Sequence, residues 1–464
     1  MDDRFTDFND ETRDLVLEFE RTILKGGHQF FDVDELEIIL DYYIGVSDTE
    51  TLAAALDYAE ELYPDSLEIK LRRSHWHALC GHVDTAINQL RKLYRQYPEN
   101  SDIAYSLGVF YSEKEAHLES IEWFTKASQE EWQLGPTYYN IAEEYYKLHD
   151  YSHAIEYYLK TLQIDPLDTS TLYNYTDTCI LASLADEALQ YIRIILADHP
   201  YYKEAWHCMG LIYRSIGLSE KAIDAFEYVI AIDPRFEAAY IDLAQTFAEG
   251  GMIAQAASTL SRSLQFSDSP VRIYILLGQL YLHNGNIPTT MEYLRKAKEE
   301  DSDNPSIYAL SALANLAEDD ISLAITNAKK ALSLDAQNPD ALFAIAVAYD
   351  IQGKHKAAQQ NFDALIESPQ CTEEHCRQYL LYLFGQQRYD DIIDFAIDSL
   401  ELYPHDPFYS TYLAASYFLT NRYNSLQHVL PDTDMDILNQ LCPTLQDNPH
   451  LSRFIKTLTL TPKH

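Results

Sequence analysis

Two short stretches hold the side chains best suited to binding a metal. In the first, His75, His77, Cys80 and His82 fall within eight residues and offer the imidazole and thiolate groups that zinc accepts. On a helix, residues 75 and 77 point about 200° apart, at about 100° per residue, so they do not share one ligand face. In the second, Cys371, His375 and Cys376 supply three such groups, and a fourth is not evident. A free cysteine commonly serves as a small buried hydrophobe, and Cys376 is read that way. The phosphate-cradling GxxxxGK(S/T) and GxGxxG loops and the GxSxG elbow are missing, together with the strands they need. The expectation is no metal, no cofactor, no catalytic residue and no enzyme. Recognition is the chemistry that remains. Tyr105, Tyr139 and Tyr173 recur at 34-residue intervals with acids beside them, and tyrosine is a rigid amphipathic anchor.

The same interval runs through the chain. From Val33 a 34-residue frame continues without insertion or deletion, with units starting at 33, 67, 101, 135, 169, 203, 237, 271, 305, 339, 373 and 407. A fixed period of this kind marks stacked supersecondary units. Position 8 of the unit is small in ten cases, from Ser74 and Gly108 to Ala346 and Ala414, with Leu40 and Leu380 the exceptions. Position 20 is small from Ala86 to Ala358, with Leu52, Ile392 and Leu426 the exceptions. Small residues at both places let two helices approach closely, and the exceptions fall in the end units, where atypical capping repeats belong. Gly81, Gly217, Gly251, Gly285, Gly353 and Asn421 at position 15 tolerate the left-handed conformation that ends a helix. Pro64, Pro98, Pro166, Pro200, Pro234 and Pro404 at position 32 end the second helix. Trp132, Asp268, Ser302, Ala336 and Gln370 replace that proline, which predicts more continuous or differently angled turns there. Ahead of the frame, Leu15, Val16, Phe19 and Ile23 share one helical face, which Gly26 and Gly27 would end. Behind it, Pro431 shortens the last unit, and the stretches 434–441 and 451–460 have the pattern of short covering helices.

These residues resemble the tetratricopeptide repeat family. The unit 203–236 carries the pattern most fully, in Trp206, Met209, Gly210, Tyr213, Ala222, Phe226 and Pro234, and Tyr138, Tyr145, Ala154, Tyr158 and Pro166 repeat most of it. The resemblance implies an all-α, right-handed superhelical solenoid of helix-turn-helix repeats. Residues 1–32 would form an N-terminal capping helix, 33–430 about twelve repeats with the last partial, and 431–464 C-terminal capping helices. It also implies that positions 2, 5, 9 and 12 of the first helices face a concave groove that holds a peptide. On that basis the expected partner-binding residues are Asp102, Tyr105, Tyr139, Glu143, Tyr146, Tyr173, Asp177, His207 and Arg214, with Asn174 added from the clamp positions that follow. Some relatives clamp a C-terminal carboxylate with paired Lys and Asn residues. The matching positions here are Tyr139, Glu143, Asn174, Glu204 and Cys208, of which Asn174 alone agrees, so no such clamp is expected. Further along, Ile241, Ile275, Leu276, Leu282, Ala309, Leu313, Leu316, Phe343 and Val347 make the C-terminal half of the groove largely apolar, suited either to an amphipathic helix or a second copy in a homo-oligomer, or to closure by tighter superhelical packing.

Charge narrows the partner. With 34 Lys and Arg against 73 Asp and Glu, the formal charge of −39 disfavours nucleic acid and anionic membrane and favours basic protein segments. Residues 1–66 hold 19 acids and four bases (4 − 19 = −15), whereas residues 67–100 hold six bases and three acids (6 − 3 = +3). Pairing of Lys70, Arg72 and Arg73 with acids of adjacent units is the expected use of that excess. Six scattered cysteines suggest no disulfide framework, and no secretory or membrane-spanning stretch is read, so a cytoplasmic location is expected. The reading is a non-enzymatic scaffold or adaptor that binds a cationic or amphipathic segment in its groove. The alternatives are a peptide-sensing regulator and an accessory subunit of an enzyme complex.

Overall fold

The computed structural model describes residues 10–22, 29–129, 134–267, 269–404, 406–443 and 445. Among them the regular structure is helical throughout, with no strand. Ile23, Gly26, Gly27, Trp132, Asp268 and the stretch 451–460 lie outside the described residues.

Helices begin where the side chains supply a cap. Asp32 accepts from the Glu35 N–H at 2.9 Å while Glu35 reaches back to the Asp32 N–H at 2.9 Å, a reciprocal capping box that opens helix Val33–Gly45. Asn100, Asp168, Asn338 and Asp406 cap later first helices through a side-chain oxygen that accepts from a first-turn N–H, without the reciprocal bond. Pro305, Pro339 and Pro407 stand at the first helical position, where no backbone donor is needed. Helix pairs then follow the frame, from Val33–Gly45 with Thr49–Leu62 to Pro407–Leu419 with the short Tyr423–Val429.

Within each pair the chain turns through one left-handed residue at position 15. Glycine holds it at 81, 217, 251, 285 and 353, while Ser47, Glu115, His149, Ser183, Asp319, Gln387 and Asn421 adopt the same geometry at φ of 57–62°. The turn closes the helix by a fixed bond pattern: Ala116 N–H donates to Tyr111 O at 2.9 Å and Glu115 N–H to Ser112 O at 2.9 Å. The position therefore demands the conformation in all twelve units, although the residue type announces it in six. A non-glycine residue there carries a steric cost of about 1–2 kcal/mol, partly offset by the lower chain entropy it has when unfolded. Replacing the exposed Glu115 or Gln387 by glycine is expected to stabilise the chain by about 0.5–1 kcal/mol each, read as a higher urea midpoint.

The chain divides into two compact units, Met1–Thr246 and Phe247–His464. In the first, helix Asp10–Thr22 buries Val16 and Phe19 against Phe31, Leu36, Leu40 and Tyr43. The close approach foreseen for position 8 is literal: a Cβ on Gly108 would stand 2.6 Å from the Phe124 ring, and one on Gly210 would strike the Phe226 ring. Arg72 donates to both carboxylate oxygens of Asp41 at 2.8 and 2.7 Å and reaches Glu37 at 3.0 Å, and Arg73 grips Glu60 through two bonds of 2.8 Å. These bases of unit 67–100 are thereby neutralised by the unit before it.

In the second unit the first helices Pro305–Ala317 and Pro339–Ile351 present Ala309, Ala312, Ala344, Ala346 and Ala348 to buried contacts. Small faces draw these helices together, Ala309 is fully buried, and Ile275, Leu282, Leu313, Leu316, Phe343 and Val347 are half-buried against neighbouring cores. At the far end, helix Met435–Leu441, capped by Asp434, buries Leu438 in the last core.

Candidate partner-binding face

Tyr105 sits at position 5 of its unit, and its ring packs edge-on to Phe124 at 5.4 Å between centroids. The second helix thus supports the first-helix tyrosine from behind. Tyr139 stands on Tyr158 in the same way at 6.0 Å, and His207 on Phe226 at 5.5 Å. Each ring is further held by a residue of the following unit. Asn140 Nδ2 donates to the Tyr105 hydroxyl at 2.9 Å, and Asn174 Nδ2 donates to the Tyr139 hydroxyl at 2.9 Å, each pair 35 residues apart. Asn174 also reaches Glu143 Oε1 at 2.9 Å, and the buried Tyr158 hydroxyl donates to that same oxygen. Tyr173 pairs its hydroxyl with His207 Nδ1 at 2.9 Å, and His207 Nε2 meets Asp242 Oδ2 at 2.9 Å. Arg214 completes the row by donating to Asp242 Oδ1 at 2.8 Å and Gln245 Oε1 at 3.3 Å.

The result is a set of polar rungs from Tyr105 to Asp242 in the first compact unit. Glu143, Asn174, Tyr139, Tyr158 and, separately, Tyr173, His207, Asp242 and Arg214 are two connected groups within it. Of the ten residues read from the sequence, Tyr105, Tyr139, Glu143, Tyr173, Asn174, His207 and Arg214 take part in rungs. Tyr146, 36 % exposed, instead meets Tyr151 at 5.8 Å, and Asp102 and Asp177 stand exposed beside the row. His207 is buried, so it braces Tyr173 from within and does not face the groove. Asn140, Tyr158 and Asp242 were missed by the sequence reading. The repeated Tyr139-Asn140 and Tyr173-Asn174 dipeptides were the signal for the asparagine, since position 6 of one unit meets position 5 of the unit before.

Charge on this face is unevenly compensated. Burial would raise the Asp242 carboxyl, but His207 and Arg214 outweigh it and hold that group below the usual carboxylate range. Glu143, by contrast, receives its bonds from an amide and a phenol, neither of which is a cation. Loss of solvation raises the Asp177 carboxyl, although the residue reaches solvent. Burial, then the nearby Glu143, pushes the Tyr139 phenol up, so it stays a neutral hydrogen-bonding group at any ordinary pH.

Two hollows adjoin the tyrosines. One of about 770 Å3 lies beside Tyr139, with Gly135, Pro136, Asp165, Asp168 and Ser170 in its wall. Another of about 270 Å3 lies beside Tyr105, with His75, Val109 and Glu113. Cys208, at one of the carboxylate-clamp positions, is fully buried, and burial pushes its thiol up to about 12. Among the described residues no group of three or more His, Cys, Asp or Glu side chains is arranged to hold a metal ion. No helix among them is long and apolar enough to cross a membrane.

Sequence profiles described as tetratricopeptide repeat match residues 81–134, 136–167, 203–236 and 271–304, the last two in the register of the 34-residue frame. No curated protein matches the chain in sequence. Similar solved structures include the APC/C hetero-tetramer Cut9–Hcn1, at 15 % identity over 88 % of this chain and 93 % of that one, with a TM-score of 0.38. A tetratricopeptide repeat protein from Parabacteroides merdae is similar at 20 % identity over 53 % of this chain and 98 % of its own, with a TM-score of 0.39. A thermophilic TPR protein of Thermus thermophilus is similar at 21 % identity over 39 % and 99 %, with a TM-score of 0.32.

Proposed function

Since the chain is a tetratricopeptide repeat protein, we propose that it is a non-enzymatic scaffold that binds a Lys- or Arg-bearing segment across Tyr105, Tyr139 and Tyr173. Residues 1–32 and 431–464 act as caps on about twelve repeats between them. The observation that carries this reading is the cross-unit bonding of the tyrosine hydroxyls, which locks the half-buried rings in place before a ligand arrives. Preorganised anchors shift the cost of ordering to the ligand. The charge of Glu143, the exposed Asp102 and Asp177, and the Asp165 and Asp168 carboxylates beside the larger hollow favour a cation. That hollow has room for a long cationic or aromatic side chain of the bound segment. The acidity of the chain and six cysteines present as thiols fit a reducing, cytoplasmic setting.

Tyr139→Ala combined with Tyr173→Ala is expected to weaken binding of a fluorescent Lys/Arg-rich peptide by about tenfold to a hundredfold, as for anchors at an interface. Helicity by circular dichroism should stay unchanged, and Tyr139→Phe, which keeps the ring but loses the bond from Asn174, should weaken binding measurably but less than Tyr139→Ala. Affinity of the parent chain should also fall with added salt. Equal binding by the double variant, or binding indifferent to salt, would overturn the assignment.

A further inference from the structure

The tyrosine face leaves one pair of reactive groups unused, in the other compact unit. Cys371 lies in the turn after helix His355–Ile366, and Cys376 lies in the first turn of helix Glu373–Gly385. Their Sγ atoms stand 3.8 Å apart, both half-buried at the edge of the C-terminal core. The turn between them is firmly held. Cys371 N–H donates to Ser368 O at 3.0 Å, Ser368 Oγ to Gln337 O at 2.9 Å, and Thr372 and His375 cap the helix through a 2.7 Å contact of Oγ1 with Nδ1. That contact occupies one nitrogen of His375, and its Nε2 faces Asp340 at 3.5 Å, so the imidazole is turned to neighbours other than the sulfurs. Two thiols in contact without a third ligand suit bond formation between themselves better than a metal.

We propose that Cys371 and Cys376 form a redox-active dithiol that closes to a disulfide by exchange with a low-molecular-weight disulfide such as glutathione disulfide. The thiolate of Cys371, in the turn, attacks one sulfur of the oxidant, whose S–S bond breaks and releases one thiolate. The thiolate of Cys376 then attacks Cys371 Sγ in the mixed disulfide and expels the second. Two protein thiols are oxidised, the oxidant is reduced to two thiols, and the two protons lost by the cysteines end on the departing sulfurs. Closure ties the first turn of helix Glu373–Gly385 to the turn that precedes it. Glu373, Tyr403 and Tyr409 surround the pair, and burial raises both thiols, Cys376 to about 12, so exchange is slow at neutral pH and quickens as pH rises.

The test is incubation of the full chain with graded mixtures of reduced and oxidised glutathione at mildly alkaline pH, followed by alkylation and peptide mass mapping. The expected product is an internal Cys371–Cys376 disulfide, reversed by excess reduced glutathione. In Cys376→Ser the mixed disulfide at Cys371 should accumulate on the order of tenfold or more above its level in the parent, because the resolving thiol is gone. Half-exposed Cys80 reports that the oxidant reached the chain. If Cys80 becomes glutathionylated while Cys371 and Cys376 both remain alkylatable, or if Cys371 keeps glutathione equally in parent and variant, the proposal fails.

Discussion

Glu144→Leu is expected to lower stability by about 2–3 kcal/mol, because it strands three donors that now share one buried carboxylate. Only 2 % of the Glu144 side chain is exposed, and it accepts from Ser112 Oγ at 2.6 Å, His117 Nδ1 at 2.7 Å and Lys147 Nζ at 2.7 Å. Ser112 and His117 belong to the unit before, so the carboxylate stitches the Tyr105 unit to the Tyr139 unit. Lys147 is 42 % exposed and recovers some hydration when its partner goes, which keeps the cost below that of a wholly buried pair. Burial raises the Glu144 carboxyl, but the bonds from Lys147, Ser112 and His117 outweigh it and hold the group below its ordinary value. A carboxyl depressed in the folded state contributes stability that is present above the unfolded value of about 4.3 and is lost as pH falls through the folded one. The gap between the parent and Glu144→Gln should therefore be full at neutral pH and shrink below about pH 4. Urea midpoints across pH, with hydrogen exchange in helices Ser101–Glu113 and Leu134–Lys147, check both statements. Unchanged exchange in those helices would show that the stitch carries no stability.

Gly210→Leu is expected to cost about 3 kcal/mol or more and to break the packing of its helix pair. A helical glycine exposed to solvent would gain about 1 kcal/mol on gaining a side chain, but here even a Cβ collides with the fully buried Phe226 ring, and overpacking of several carbons outweighs propensity. The chain already contains the remedy. Leu380 at position 8 shares its core with Ala396 at position 24, the position of Phe226, so a large residue on one helix is matched by a small one on the other. Adding Phe226→Ala to Gly210→Leu should recover a substantial part of the lost stability, measured as the urea midpoint, whereas Phe226→Ala alone should destabilise by about 3 kcal/mol. Two losses that simply add would reject the exchange of volume between positions 8 and 24.

Legibility in the sequence followed the range of each interaction. Helix pairing was readable because positions 8 and 20 touch within one 34-residue unit, and their small residues repeat. The left-handed turn was readable where glycine marks it, and silent at Glu115, His149 and Gln387, where the bond pattern of the turn holds an ordinary residue in the same geometry. Whether the apolar stretch around Leu313 and Phe343 is open was not legible in the sequence, because the alanines that bring successive first helices together act between units. His207 was read as a groove residue from its position number, but Phe226 and Phe236, with rings at 5.5 and 5.2 Å, enclose it.

By itself the sequence determined the period, the all-helical hairpins, the acidic surface and the tyrosines at position 5, because each of these depends on residue type at a spacing that one helix or one hairpin enforces. The tertiary structure decided which of those tyrosines are braced, by what, and where charge is left over. Asn140 meets Tyr105 and His207 meets Asp242 only because successive units are rotated so that positions 5 and 6 come within 3 Å across 35 residues. That rotation is set by the summed packing of several helices, and no pattern within a single repeat contains it.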